Sequence, residues 1–136
     1  MKICVATDLE PGFERLVDHA SEWAKAHQAT LVLLHVVHDP ELAPALSNDV
    51  PGDLQRAQTQ LEEVAERIDT SCTVDVRPAD KVGPEILKAT EDADYVFMGS
   101  QGKSALERMR LGSVVTSVIR NSRVPIVCHP HTTEET

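Results

Sequence analysis

The residues with the clearest chemical potential lie in the C-terminal third: Gly99-Ser100-Gln101-Gly102-Lys103-Ser104, then, beyond nine further residues after Gly102, Gly112-Ser113. A glycine that directly follows an apolar run lets the chain turn sharply and brings backbone N–H groups against an anion with no Cβ in the way. Gly112-Ser113 opens a helical stretch whose apolar face is Val114, Val115, Val118 and Ile119. The free amides and positive dipole end of that stretch face the same anion. Ser100, Ser104 and Ser113 add hydroxyl donors and Lys103 adds charge. Together these residues read as a phosphate cradle. It is not a Walker A loop, which needs a glycine five positions before Gly102, where Phe97 stands.

Charge is distributed to match. The 136 residues carry a net charge of −9, yet the segment from Gly99 to Arg123 holds Lys103, Arg108, Arg110, Arg120 and Arg123 against the single acid Glu107. That stretch is +4 and the remainder −13. An acidic chain lacks the clustered cations of a general DNA or RNA surface, but a local basic segment suits a small anion. No apolar run approaches the ~20 residues that span a bilayer, and Met1-Lys2-Ile3-Cys4-Val5 leads into Asp8 and Glu10, unlike a secretory signal. A cytoplasmic protein without membrane insertion is expected. Cys4, Cys72 and Cys128 are odd in number, distant, and set in strand-like runs without CxxC spacing, so buried free thiols are expected. Cys128, His129 and His131 resemble metal ligands on paper, but they straddle Pro130 with no second ligand pair in view, and no metal site is expected.

The positioning elements follow from periodicity. Ile3 to Thr7 reads as a buried strand with Asp8 at its C-terminal end, and Phe13, Leu16, Val17, Ala20, Trp23 and Ala24 recur at helical spacing after Pro11. Thr30 to Val37 is the longest apolar run and predicts a central parallel strand in which His35 is a hydrogen-bonded core residue. Residues 39 to 52 hold three prolines and no periodicity, predicting a flap. Leu54, Ala57, Leu61, Val64 and Ile68 mark a second helix, Cys72 to Val76 a strand, and Gly83-Pro84 the start of a third helix. Asp94 to Met98 is a strand running into Gly99, and Pro125 to Cys128 the last strand. Strands alternating with helices predict one domain over residues 1–136. Its α/β fold is a Rossmann-like doubly wound five-stranded parallel sheet with helices on both faces. A receiver domain wants paired acids after the first strand and a lysine after the last, and Asp8 has Thr7 and Leu9 as neighbours while His129 follows the last strand.

The pattern Gly99-x2-Gly102-x9-Gly112-Ser113 resembles the nucleotide-binding motif of the ATP-binding branch of the universal stress protein family. Ala6-Thr7-Asp8, Leu34-His35-Val36, Val82-Gly83-Pro84 and Val124-Pro125-Ile126-Val127 resemble further segments of that family, covering nearly the whole chain. The resemblance implies that Asp8 meets the ribose or the metal-phosphate region and that the backbones of Ala6, Thr7 and Val36 frame adenine. It also implies that Met98, Gly99, Ser100, Gln101, Gly102, Lys103, Ser104 and Ala105, with Gly112, Ser113, Val114 and Val115, wrap the triphosphate. The implied ligand is ATP, or ADP or AMP, with Mg2+ or Mn2+ bridging the phosphates, and the implied assembly is a homodimer through the last strand. Two departures stand out: Glu10 replaces the usual small serine that caps the first helix, and Gln101 stands where histidine or arginine is frequent. Asp8 also admits a simpler role as the cap of the following helix.

Catalysis on the γ-phosphate needs a positioned base and nucleophile, and the sequence offers no convincing pair. The resemblance allows slow ATP hydrolysis or autophosphorylation. The expected function is a nucleotide-dependent regulatory or stress-response module read by a protein partner.

Overall fold

A computed structural model of the protein describes residues 1–39, 50–99 and 113–129. The predicted alternation is present: β1 (Lys2–Ala6), α1 (Phe13–Ala26), β2 (Thr30–His38), α2 (Val50–Glu66), β3 (Cys72–Ala79), α3 (Val82–Ala89), β4 (Tyr95–Gly99), α4 (Ser113–Asn121) and β5 (Ile126–His129). All described strand pairings are parallel, in the order β3-β2-β1-β4-β5.

Alternation along the strands divides the interior into two layers. Ile3 and Val5 of β1, Leu31 and Leu33 of β2 and Phe97 of β4 point to one face, where α1 contributes Phe13, Leu16, Val17, Ala20 and Ala24 and α2 contributes Leu61 and Val64. Cys4, Ala6, Leu34, Val36, Val96 and Met98 point to the other, covered by Ile86 of α3 and by Val115 and Val118 of α4. Helices on both faces explain why the central strands are near-continuous apolar runs.

Two boundaries differ from expectation. Pro51 and Gly52 belong to the first turn of α2, where proline's missing N–H leaves no bond unmade; the rest of the predicted flap, 40–49, lies outside the described residues. β3 runs on through Arg77 and Pro78 to Ala79, with Pro78 beside Val37, because an edge strand leaves one side unpaired and tolerates proline there. Arg77 then ties this edge to α3, donating to Asp75 at 2.6 Å and to Glu85 at 3.0 Å.

All three cysteines are free and lie in strands, but one environment was expected and three are found. Cys4 is buried, and burial pushes its thiol up to about 12. Cys72 is half-buried, and Cys128 is exposed because β5 is the sheet edge. Iodoacetamide at pH 8, read by peptide mass spectrometry, should therefore modify Cys128 first and Cys72 more slowly, reaching Cys4 only after denaturation. Early labelling of Cys4 would contradict the packing of β1.

Candidate functional site

The strand order reverses between β1 and β4. From β1 the chain winds outward through β2 to β3, and on the other side from β4 to β5. Loops leaving the C-terminal ends of two such strands depart to opposite faces and open a crevice between them. Thr7 and Asp8 leave β1 at that crevice, and Gly99 ends β4 beside it, one residue beyond Met98, which pairs with Ala6.

The β1–α1 loop is held by its own atoms. The Thr7 amide donates to the Leu34 carbonyl at 2.9 Å. The Thr7 carbonyl accepts from His35 Nδ1 at 2.8 Å, which places the proton of a neutral imidazole on Nδ1. Thr7 Oγ1 accepts from the Leu9 amide and Asp8 Oδ1 from the Glu10 amide, both at 3.0 Å. Leu9 sits at φ 62 and Gly12 at φ 95, both left-handed. Glycine adopts this without cost, whereas leucine there is strained and is kept by the surrounding bonds and by packing against the α1/α2 layer. The cap of α1 is Gly12, so neither Asp8 nor Glu10 fills that role. Asp8 remains exposed at the crevice rim with one carboxylate oxygen engaged in the turn. His35 is the hydrogen-bonded residue expected from the sequence, but its partner was not legible: no spacing rule joins residues 7 and 35.

Ala6, Val36, Met98 and Val115 are all buried in the α3/α4 layer, and Val114 packs against it. Their side chains are thus taken up by the core of that layer. Ser113 is exposed at the start of α4, whose own first turn carries no acid. Ser100, Gln101, Gly102, Lys103, Ser104, Ala105 and Gly112 lie outside the described residues.

One inference from charge needs correction. Arg120 lies in the last turn of α4 and Arg123 beyond it, at the end of the sheet opposite the crevice. Helices of a parallel α/β layer run against the strands, so seven residues separate Arg120 from Ser113 by about 10 Å of helix. Two of the five cations therefore cannot serve the cradle directly.

The description of the universal stress protein family fits residues 1–130. The chain belongs to that family. Universal stress protein MJ0577 of Methanocaldococcus jannaschii is 25% identical to it, with 93% of this chain and 92% of that protein aligned. The solved structure of MJ0577 superposes with a TM-score of 0.78 at 26% identity, covering 98% of this chain and 97% of the other. The universal stress protein from Archaeoglobus fulgidus, solved in complex with dAMP, gives a TM-score of 0.71 at 20% identity over 94% of this chain and 96% of that one. A further universal stress protein, solved in complex with cAMP, gives 0.69 at 20% identity over 96% and 98%. These similarities fit the parallel sheet β3-β2-β1-β4-β5, with helices on both faces, seen among the described residues.

Proposed function

We propose that this universal stress protein binds an adenine nucleotide, ATP foremost, in the crevice between β1 and β4, and works as a nucleotide-dependent regulatory module. The observation that carries this reading is Gly99. Its φ lies outside the left-handed region, and a Cβ built on it would meet no heavy atom within 4 Å among the described residues. Among the described residues neither backbone strain nor packing calls for glycine at this strand end, and in this reading close approach of a ligand supplies the reason. The dAMP and cAMP bound by two relatives are of the same chemical class.

In this reading Ala6, Thr7 and Val36 frame the base through their backbones. Gly99 to Ala105, with Ser113 and the first amides of α4, hold the phosphates. Asp8 is a hard oxygen ligand suited to Mg2+ or Mn2+, which when bound would neutralise phosphate charge. The protein works in the cytoplasm, as a homodimer paired through β5, whose four residues form one sheet edge.

Denaturing the purified protein and identifying what is released should yield an adenine nucleotide, or, if the site is empty, ATP with Mg2+ should raise the melting temperature by several degrees. No released nucleotide together with an unchanged melting temperature would sink the reading.

A further inference from the structure

The fold gathers a second group of chemical side chains on the α1 face of the sheet. Between α1 and the β4–β5 edge lies an open groove of roughly 690 Å³, lined among others by Arg15, Asp18, His19, Glu22, Trp23 and His129. Across it the imidazoles of His19 and His129 meet with ring centroids 4.5 Å apart and planes inclined by 58°. His19 is exposed on α1 and His129 half-buried at the end of β5, so the two rings span two separate elements and remain open to solvent on one side.

We propose that His19 and His129 form a bis-histidine site for a divalent late transition metal of the Zn2+, Ni2+ and Cu2+ class. Such ions bond imidazole nitrogen at about 2.0–2.1 Å, which puts each ring centroid about 3.2 Å from the metal. Two rings in neighbouring positions around one ion then stand about 4.5–5.2 Å apart, between square and tetrahedral angles. The observed spacing falls at the square end of that range, and the ring torsions that aim the nitrogens are soft. Among the described residues, the carboxylates of Asp18 and Glu22 and the guanidinium of Arg15 line the same groove. Among the described residues no three metal-binding side chains converge, and the proposed protein ligands are these two imidazoles. An ion held there fastens α1 to the strand that pairs with β4, with His129 opposite Gly99.

The test is calorimetric titration of the full chain with Ni2+, with Mg2+ as the oxygen-preferring control. One Ni2+ per chain should bind, and at a hundredfold its dissociation constant should raise the melting temperature by about 5 °C or more. His19→Ala and His129→Ala should each weaken that binding at least tenfold, whereas His27→Ala, at the C-cap two turns further along α1, should leave it intact. His19→Gln, which keeps a polar side chain of similar reach, should lose binding as well. Absence of Ni2+ binding, equal binding of Mg2+, or binding that survives both His19 and His129 substitutions would overturn the assignment.

Discussion

Replacing Leu33 with alanine should lower the unfolding free energy by about 3 kcal/mol, within the 2–5 kcal/mol found when a large core side chain is truncated. Leu33 has no exposed surface, stands in β2 beside Val5 and Val74 on its two sides, and faces the layer closed by α1 and α2. A parallel strand bordered in this way cannot shift to fill the void without disturbing both neighbours. The loss is a large share of the roughly 5–15 kcal/mol that stabilises a domain. Urea unfolding should show a lower midpoint at unchanged slope. Ile119→Ala provides the contrast, since Ile119 is 40% exposed on α4 and its truncation should cost no more than about 0.5 kcal/mol. Equal losses at the two positions would mean that the α1/α2 layer is not the centre of the core.

The second large effect concerns ligand rather than fold. Gly99→Val should weaken ATP binding at least tenfold while leaving the melting temperature of the ligand-free protein within a few degrees. The open space at Gly99 accepts the added carbons among the described residues, and a β-branched side chain suits a strand end. The same carbons then occupy the approach that a phosphate needs. Titration calorimetry with ATP and Mg2+, beside thermal melts, separates the two quantities. Full ATP affinity in the Gly99→Val protein would remove Gly99 from the site, and a collapse in stability would give it a structural role instead.

The order of elements was legible because each strand and helix declares itself over a few consecutive residues. Leu31 to Val37 is apolar enough to be a strand covered on both faces, and Leu16, Val17, Ala20 and Ala24 mark one side of a helix. What escaped depends on neighbours that sequence does not list together. Arg77-Pro78 looks like a strand terminus until β2 is found to continue alongside as far as His38. Cys128 looks buried until β5 is known to be an edge. Arg120 and Arg123 look like part of a basic site until the direction of α4 carries them to its far end. Asp8 and Gly99 do lie at the C-terminal ends of β1 and β4, since strand ends follow from strand assignment, whereas Val36 is buried in β2 two residues before that strand ends. The contact of His19 with His129 joins residues from opposite ends of the chain, and no local pattern foretells it.

The short loop between β1 and α1 has a consequence for the thermodynamics of any encounter at the crevice. Its left-handed turn at Leu9 and the bonds made by Thr7 and Asp8 are already in place in the protein alone. One wall of the crevice is thus shaped during folding, and little freedom remains there for an incoming molecule to remove. On the proposed reading, the entropy lost on association falls on the ligand and on other parts of the chain more than on the turn that Thr7 and Asp8 already bond.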